Sequence, residues 1–483
     1  MRTHDVDIAI VGAGTAGLNA IREAQRSGKR WVLIEPGPYG TTCARVGCMP
    51  SKLLIAAAET AHAIAGADTF GIRVHGMTVD SAAVMERVRR ERDRFTSFAV
   101  KETESLPAEQ RLDGTARFVD ARTLDVLPAD GGEPFARVHT SATVIATGSR
   151  PLIPSLLEAV RDRVVTSDTI FELEVLPRSM AVIGTGIVGL ELGQAMSRLG
   201  VDVAMFDRSE HVGPGSDPEV AKVTDEVMSR ELRLHMGADI SNAAPDPEGV
   251  KLTWTDAGGN QQEQVFELVL SAAGRPPNLE SLHLEAAGLE LDTRGLPPWD
   301  PCTTQCGDAP IFLAGDANGQ RPLLHEAGDE GRISGENAAR YPDIDTHSRR
   351  APLAIVFSDP QIALVGTPFD ELDHGATSIG AASFENQGRS RVMAVNQGLM
   401  RIYAHHRDCT VVGAEMFGPR MEHMAHLLAG AVQQELSVQA LLRMPVYHPT
   451  FEEGMRSALR DLAKQLKVEG DCRREDMARA PGT

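Results

Sequence analysis

Two cysteines five positions apart, Cys43 and Cys48, are the side chains of this chain with the clearest capacity for chemistry. Such a pair can exchange a disulfide with an external dithiol, provided that the two Cα atoms come within about 4.4 to 6.8 Å. A regular helix rises about 1.5 Å per residue and holds residues five apart somewhat farther away, on different faces. Gly47 and Pro50 interrupt that regularity, so an irregular helix start is predicted, and a helix N-terminus there favours the thiolate. The alternative is a pair of buried, inert thiols.

The cysteines follow a strand, a glycine-rich turn, a helix and a second strand, in that order. Residues 6–11 are predicted to form a buried parallel strand, and a second strand, Trp31–Ile34, ends at Glu35. The turn carries glycines at the spacing that lets the backbone approach a pyrophosphate: Gly12, Gly14 and Gly17. An acidic residue about 20 positions farther on binds ribose hydroxyls. The pattern predicts a dinucleotide-binding unit, the alternative being a turn that only packs a helix on a strand.

The same arrangement occurs a second time. A strand at residues 180–183 leads into another glycine turn, a helix at Leu190–Leu199 and a strand at Val201–Phe206 that ends at Asp207. The glycines of this second turn are Gly184, Gly186 and Gly189. Two such units predict two dinucleotides, held so that one passes electrons to the other. That prediction favours an electron-transfer flavoenzyme over a dehydrogenase with a single cofactor.

Composition narrows the class of protein. Hydrophobic residues make up 42% of the chain and charged residues 24%, which is ordinary for a globular protein. A formal net charge of -19 argues against nucleic acid as a partner. No run approaches about 18 apolar residues, and the first residues lack an apolar signal core, so neither a membrane role nor secretion is predicted and a cytoplasmic location is expected. Six cysteines do not make a structural disulfide framework, and no metal site is predicted.

A histidine and a glutamate far along the chain, His448 and Glu453, suit the same chemistry as the cysteines. Disulfide exchange needs a thiolate attacker, so a base must take a proton from the incoming thiol. Histidine does this near neutral pH, and a carboxylate fixes its tautomer and raises its basicity. Pro449 predicts a loop that leads into a helix. Taken alone, the pair would more often be a surface helix cap, and the other motifs favour the functional interpretation.

Six motifs in this order resemble those of the class I pyridine nucleotide-disulfide oxidoreductases, over nearly the full chain. They are the glycine turn at residues 12–17, the two cysteines with Pro50-Ser51-Lys52, Ala146-Thr147-Gly148, the glycine turn at residues 184–189 with Glu191, Ala314-Gly315-Asp316, and the run from His448 to Glu453. The resemblance implies FAD on the first unit, a nicotinamide on the second and a homodimer built by a C-terminal interface domain.

The implied fold class is α/β, with two Rossmann-like dinucleotide-binding domains, for FAD and NAD, and a C-terminal α+β dimerisation domain. Turn and proline signals place the expected boundaries. The FAD-binding domain takes residues 1–151, with a second, central part at 272–345; the NAD-binding domain takes 152–271 and the interface domain 346–483. The interface domain is predicted to form strands and then helices near Met421–Glu435 and Glu452–Leu466. The last residues, Gly470–Thr483, are expected to be a frayed tail.

The resemblance also implies individual roles. Cys48 is the thiol nearest the flavin, and Cys43 is the interchange thiol that meets substrate. Lys52 and Glu191 form an ion pair near the flavin, and His448 with Glu453 is the catalytic dyad that reaches the disulfide of the other subunit. The residues implied in cofactor binding are Gly12, Gly14, Gly17, Glu35, Lys52, Thr147, Gly148, Gly184, Gly186, Gly189, Asp207, Gly274, Gly315 and Asp316.

The end of the second unit bears on the choice of nicotinamide. Asp207 stands where NAD-using members of the family carry the acid that binds the adenosine 2'-hydroxyl and repels a 2'-phosphate. Arg208 stands where NADP-using relatives place their first arginine, but their second basic position corresponds to Pro214. NAD is therefore expected. The implied activity is oxidation of dihydrolipoyl groups on a lipoyl-carrying protein; the alternative is an NAD(P)H-dependent disulfide or metal-ion reductase.

Three departures from the family pattern lie where substrate is expected to approach. Thr41 replaces a glycine before the first cysteine, Ala44-Arg45 is an unusual pair between the cysteines, and Val446 stands two residues before His448 where a histidine is common. No reacting group is lost, so a specialised dithiol substrate stays open. A second pair of cysteines, Cys302 and Cys306, is interpreted as ordinary buried thiols.

Overall fold

The computed structural model of the chain describes residues 1–466. It contains two compact units, each assembled from separate stretches of chain. The first unit comprises Met1–Leu53, Glu86–Leu152 and Gly274–Arg349; the second comprises Leu54–Met85, Ile153–Ala273 and the described residues 350–466. The predicted tail at Gly470–Thr483 lies outside the described residues.

The strands and helices of the described residues are numbered in chain order. The strands are β1 (Arg2–Asp5), β2 (Ile8–Val11), β3 (Trp31–Ile34), β4 (Arg111–Leu112), β5 (Thr115–Asp120), β6 (Thr123–Leu127), β7 (Ala136–His139), β8 (Ala142–Ile145), β9 (Val164–Thr166), β10 (Ser179–Ile183), β11 (Asp202–Phe206), β12 (Arg233–His235), β13 (Asp239–Asp246), β14 (Gly249–Thr255), β15 (Gln261–Phe266), β16 (Leu268–Ser271), β17 (Ile311–Leu313), β18 (Leu353–Val356), β19 (Gln361–Gly366), β20 (Thr377–Ser383), β21 (Leu399–His405) and β22 (Val411–Gly418). The helices are α1 (Thr15–Arg26), α2 (Thr42–Arg45), α3 (Cys48–Ala65), α4 (Ser81–Glu104), α5 (Ile187–Arg198), α6 (Pro218–Met228), α7 (Leu324–Arg340), α8 (Gly388–Val392), α9 (Met421–Gln433), α10 (Val438–Leu442) and α11 (Glu453–Gln465).

The first unit is built on a parallel sheet with the strand order β17-β8-β2-β3-β4. The residues of β2, β3 and β8 are buried throughout, because both faces of such a sheet are covered, and all of them except Thr143 are apolar. Helices α1 and α7 pack closely against each other, and a Cβ on Gly331 would lie only 2.1 Å from the Ala16 carbonyl oxygen. A second sheet, β1-β7-β6-β5, completes this unit. The predicted first dinucleotide unit is confirmed as this parallel sheet.

The second unit contains another parallel sheet, with the order β12-β11-β10-β16-β9, and an antiparallel meander, β13-β14-β15. Strand β10 pairs with β11 and β16, so that Ile183 and Phe206 end side by side at one sheet edge. Carboxyl ends of neighbouring parallel strands form the usual ligand-binding edge of such sheets. The second predicted unit therefore has the same architecture as the first.

The C-terminal part of the second unit is an antiparallel sheet, β18-β19-β22-β21-β20, covered by helices α9, α10 and α11. The predicted order of strands followed by helices is confirmed, and with it the α/β fold class with an α+β C-terminal region. Helix α10 was not predicted, because its five residues are too short to show helical periodicity. Within residues 1–466, the chain has no helix that is both long and apolar enough to cross a membrane.

Candidate active site

The two cysteines lie on a short helical turn and on the first turn of a long helix, which meet near Gly47. Cys43 is in α2, and Cys48 is the first residue of α3. A Cβ on Gly47 would lie 3.0 Å from the Thr42 carbonyl oxygen, so the glycine allows the two turns to approach closely. The φ of Gly47 is not in the left-handed region; that conformation occurs instead at Thr41, with φ 57°. The irregular helix start is confirmed, with the unusual backbone angle at Thr41.

The thiols of Cys43 and Cys48 are unbridged in this structure and interact with each other. The hydrogen bond to Cys48 raises the pKa of Cys43 far above its ordinary value, and burial and the negative charge of Cys48 raise it further. The Lys52 ammonium opposes this shift. Because two adjacent thiols cannot both ionise readily, Cys43 keeps its proton when Cys48 is ionised.

The three glycines of the first turn serve two different purposes, backbone packing and ligand binding. A Cβ would lie 2.3 Å from the Ala146 carbonyl oxygen if placed on Gly12, and 1.9 Å from the Gly12 carbonyl oxygen if placed on Gly17. On Gly14 the nearest atom would be 4.0 Å away. Gly12 and Gly17 are therefore glycines because the backbone packs against them, whereas Gly14 leaves room for a pyrophosphate at the N-terminus of α1.

The second turn repeats this pattern. A Cβ on Gly184 would lie 2.4 Å from the Ala272 carbonyl oxygen, and one on Gly189 would lie 1.9 Å from the Gly184 carbonyl oxygen. A Cβ on Gly186 would have no atom within 4 Å. The geometry of both turns thus fits a bound dinucleotide.

An acidic residue that follows the neighbouring strand accepts hydrogen bonds from each glycine turn. Glu35 accepts hydrogen bonds from the backbone N–H groups of Ala13, at 2.7 Å, and Gly37, at 2.9 Å. Asp207 accepts from the backbone N–H of Thr185 at 2.6 Å and from its hydroxyl at 2.9 Å. Both carboxylates therefore lie beside the glycine turns, as their positions in the sequence predict.

Hydrogen bonds keep Asp207 ionised. Burial acts to raise its pKa, but the backbone N–H groups of Ser209 and Thr185, with the Thr185 hydroxyl, outweigh burial and hold the pKa below its ordinary value. Ser209 donates at 2.9 Å. Sequence reasoning missed both Thr185 and Ser209, although their places within and just after the motif make them accessible to it.

The third cofactor motif assembles around Ser149. Its hydroxyl donates to Asp316 Oδ2 at 2.8 Å and accepts from Arg275 Nε at 3.1 Å. The backbone of Leu152 donates to the carbonyl of Gly274, whose φ is +122°. These contacts bring the Ala146-Thr147-Gly148 motif, Gly274 and Asp316 together.

Thr147 supplies a direct test of whether a ligand fits at this motif. Its hydroxyl is buried and has no hydrogen-bond partner among residues 1–466. Buried hydroxyls are normally paired, so an orphaned one points to a polar ligand group. A Cβ on Gly148, whose φ is +69°, would have no atom within 4 Å, which leaves space beside the hydroxyl.

Glu330 of α7 holds the loop that carries Asp316. It is 1% exposed and accepts hydrogen bonds from the Gly315 backbone N–H, at 2.7 Å, and from the Asn318 amide, at 2.8 Å. Burial raises its pKa, while Arg349, at 2.7 Å, opposes the shift. Sequence reasoning missed Glu330, because an acid in an exposed helix and an acid in a buried helix look alike without the fold.

Glu191 lies on α5 and is 4% exposed. Its Oε1 accepts a hydrogen bond from the backbone N–H of Phe357 at 2.9 Å. Phe357 follows β18, so the contact joins the nucleotide sheet and the C-terminal sheet within the second unit. The ion pair with Lys52 that the family resemblance implies for Glu191 stays a prediction.

The histidine and glutamate come together at the start of α11. His448 Nδ1 lies 3.0 Å from Glu453 Oε2, and Thr450 donates its backbone N–H to the same oxygen at 3.3 Å. Burial acts to raise the pKa of Glu453, but the hydrogen bonds from His448 and Thr450 and the charge of Arg456 lower it on balance. The imidazole side chain is 78% exposed. The predicted geometry of a loop leading into a helix is present.

The second pair of cysteines shows no such interaction. Cys302 and Cys306 are unbridged. Cys306 is completely buried, and burial raises its pKa to about 12, whereas Cys302 is partly exposed. Cys306 has the properties of an ordinary core thiol.

Two dinucleotide cradles and a pair of interacting thiols define the class of this protein as a two-cofactor disulfide oxidoreductase. Comparison with known protein families agrees. The family described as pyridine nucleotide-disulphide oxidoreductase matches residues 6–331, and the dimerisation domain of the same family matches residues 353–459. The chain therefore belongs to the pyridine nucleotide-disulphide oxidoreductase family.

Its curated relatives include the dihydrolipoyl dehydrogenase of Chlamydia pneumoniae, 29% identical over 93% of this chain and 95% of that protein. They also include dihydrolipoyl dehydrogenase 3 of Pseudomonas aeruginosa, 30% identical over 94% of this chain and 97% of that protein. These relatives use FAD and NAD, and the match to the dimerisation domain supports a homodimer.

Among solved structures, LpdA from Mycobacterium tuberculosis matches with a TM-score of 0.79 and 24% identity, over 95% of this chain and 99% of that one. The HOCl-induced flavoprotein disulfide reductase RclA from Escherichia coli also matches, with a TM-score of 0.77, at 20% identity over 94% of this chain and 99% of that one. These likenesses establish the fold.

Proposed function

We propose that the protein is a dihydrolipoyl dehydrogenase, which oxidises dihydrolipoyl groups on a lipoyl-carrying protein and reduces NAD. The observation that carries the proposal is the pair of interacting thiols on α2 and α3, in which the hydrogen bond to Cys48 and burial favour the protonated form of Cys43. A dithiol oxidant needs this asymmetry, because one sulfur exchanges with substrate and the other holds the electron pair. The curated dihydrolipoyl dehydrogenases align over nearly the whole chain, which supports the assignment.

The reaction begins with a disulfide between Cys43 and Cys48. A substrate thiolate attacks the sulfur of Cys43, forming a mixed disulfide and releasing Cys48 as thiolate. The second substrate thiol, once deprotonated, attacks the substrate sulfur of the mixed disulfide. The lipoyl disulfide leaves, and Cys43 takes up a proton. The dithiol has then lost two electrons, and the cysteine pair has gained them.

His448 is the base for these proton transfers. Its Nε2 is the nitrogen available to a thiol, because Nδ1 faces the carboxylate of Glu453 at 3.0 Å. An ionised Glu453 fixes that tautomer and stabilises the imidazolium that forms when the proton arrives. In the homodimer, the dyad of one subunit serves the cysteine pair of the other, as the family resemblance implies.

The two cradles hold the cofactors. FAD would bind at Gly14, Glu35, Thr147 and Asp316, and when bound it supplies two-electron transfer between the Cys48 thiolate and the nicotinamide. NAD would bind at Gly186 and Asp207 in the second cradle. We propose that Lys52 and Glu191 pair near the flavin. The remaining cofactor contacts are proposed at Gly12, Gly17, Lys52, Gly148, Gly184, Gly189, Gly274 and Gly315.

The electrostatics at the second cradle favour NAD over NADP. The lowered pKa of Asp207 keeps a negative charge where a 2'-phosphate would lie. Arg208, the one basic residue that suggested NADP, pairs with Asp239 at 3.3 Å, and both side chains are mostly exposed. Its guanidinium therefore already has an acidic partner within the protein.

We propose the four-part domain division 1–151, 152–271, 272–345 and 346–483, a cytoplasmic location and a lipoyl-carrying protein as the partner. The net charge of -19 supports the exclusion of nucleic acid as a partner, because a strongly negative protein repels phosphates.

Anaerobic titration of the oxidised, FAD-loaded enzyme with dihydrolipoamide tests the function. Long-wavelength charge-transfer absorbance from the Cys48 thiolate is expected, and it should disappear when NAD is added. Matched titrations with NADH and NADPH test the direction and the nicotinamide. An enzyme that ignores dihydrolipoamide but reduces glutathione disulfide or mercuric ion with NADPH would contradict the proposal and favour the reductase alternative.

A further inference from the structure

The side-chain amide of Gln387 is satisfied at both ends. Its Oε1 accepts hydrogen bonds from the backbone N–H and the hydroxyl of Ser390, at 2.7 and 2.8 Å, and so caps α8. Its Nε2 donates to the carbonyl oxygen of Thr450 at 2.6 Å. The orientation of the amide follows from its partners, because a backbone N–H can only donate and a carbonyl can only accept.

Thr450 is the centre of the loop that carries the histidine. Its backbone N–H donates to Glu453, its hydroxyl donates to the carbonyl oxygen of Tyr447 at 2.9 Å, and its carbonyl accepts from Gln387. Tyr447 immediately precedes His448, and Glu453 is the partner of the imidazole. Thr450 therefore contacts the loop on both sides of the histidine, and Gln387 holds Thr450 from 63 residues away in the chain.

Within its own subunit the imidazole has little packing to fix it. Its side chain is 78% exposed there, so the contacts that the same chain supplies to direct the ring are those with Glu453 and the backbone of the loop. A base misplaced by about 1 Å can lose a factor of about 100 in rate. The position of the Thr450 carbonyl thus bears directly on proton transfer.

From these contacts we propose that Gln387 is a positioning residue for the dithiol reaction, clamping the loop so that His448 and Glu453 keep their geometry. The inference rests on the proposed function of the dyad and adds to it a residue that touches neither substrate nor cofactor. It acts on the steps that need a base and leaves nicotinamide binding unaffected.

The substitution Gln387→Glu distinguishes the contact of this side chain with Ser390 from its contact with Thr450. The new carboxylate still accepts from Ser390 and still caps α8, but it cannot donate, and it faces the Thr450 carbonyl with a second oxygen. The control is Ser390→Ala, which removes the hydroxyl contact at the other end of the amide and leaves the bond to Thr450 in place.

Stopped-flow reduction of the oxidised homodimer by dihydrolipoamide, followed at the charge-transfer band, gives the test. In Q387E the rate should fall at least tenfold, while the rate of flavin reduction by NADH and the KM for NAD stay within twofold of the wild type. S390A should keep the dithiol rate within twofold. An unchanged dithiol rate in Q387E, or an equal loss in both half-reactions, would overturn the positioning role.

Crystal structures of the two variants give a readout that needs no substrate. In Q387E the distance from His448 Nδ1 to the Glu453 carboxylate should lengthen, or the His448 side chain should become disordered. In S390A the distance should stay near 3.0 Å. If the wild type fails to oxidise dihydrolipoamide but the structures differ in this way, the proposed function is wrong, while the positioning of the His448 loop by Gln387 is confirmed. An unaltered distance between His448 and Glu453 in Q387E would contradict the positioning role of Gln387, whatever the substrate.

Discussion

Glu453 Oε2 lies 3.0 Å from the imidazole Nδ1 of His448, and the same carboxylate receives the backbone N–H of Thr450. One acid thus holds both the ring and the loop that carries it. The lowered pKa of Glu453 means that the carboxylate is ionised at neutral pH and is protonated only below the range usual for glutamate. The dyad is therefore complete wherever the histidine can act as a base.

Loss of that carboxylate should slow the dithiol reaction. Glu453→Gln keeps the size of the side chain but removes the charge that stabilises an imidazolium, so kcat with dihydrolipoamide should fall by about 100-fold or more. The rate with NADH and ferricyanide, which bypasses the base, should stay near that of the wild type. Glu452→Gln, the same change one residue earlier, is the control. Equal activities for E453Q and E452Q would contradict the assignment of the base.

Removal of the charge at Asp207 should weaken the preference for NAD. Asp207→Asn loses the carboxylate that accepts from Thr185 and Ser209, so kcat/KM with NAD should fall about tenfold, equivalent to about 1.4 kcal/mol. Repulsion of a 2'-phosphate is lost as well, and the ratio of NAD to NADP activity should narrow. Glu210→Gln removes one exposed negative charge three residues away and should leave the ratio unchanged. The prediction fails if D207N discriminates as the wild type does.

The features of this molecule that could be predicted from the sequence are those that depend on residues close together in the chain. The predicted limits of β3 agree with the structure, and those of α11 agree to within one residue at each end, because an unbroken apolar run and a helical periodicity need no other part of the chain. The glycine turns and the acids after them follow from fixed spacings. The contacts of Ser149 with Asp316 and of Gln387 with Thr450 span 167 and 63 residues, and no local pattern indicates them. They depend on which strands become neighbours, which only the assembled sheets determine.

Cys306 should make the protein less stable in alkali. Burial raises its pKa to about 12 in the folded state, against about 8.5 in an unfolded chain. The folded state then keeps a proton that the unfolded state loses, so the free energy of unfolding should fall as pH rises from about 8.5 toward 12, by up to about 1.4 kcal/mol per pH unit. Chemical denaturation of the wild type and Cys306→Ala at pH 8 and pH 10 measures the difference. Parallel pH slopes in the two proteins would contradict a buried, protonated thiol.

A methyl group at Gly186 should weaken nicotinamide binding without disturbing the fold. A Cβ there meets no protein atom within 4 Å, so Gly186→Ala should fold, retain FAD and melt near the wild-type temperature. The methyl group would occupy the space left for the pyrophosphate, and the affinity for NADH should fall at least tenfold. Gly189→Ala provides the contrast, because its Cβ would lie 1.9 Å from the Gly184 carbonyl oxygen and should disrupt the turn itself. Calorimetric titration with NADH, paired with thermal melts, distinguishes the two. If G186A binds NADH with wild-type affinity, the nicotinamide cofactor does not bind at this turn, because its pyrophosphate would clash with the added methyl group.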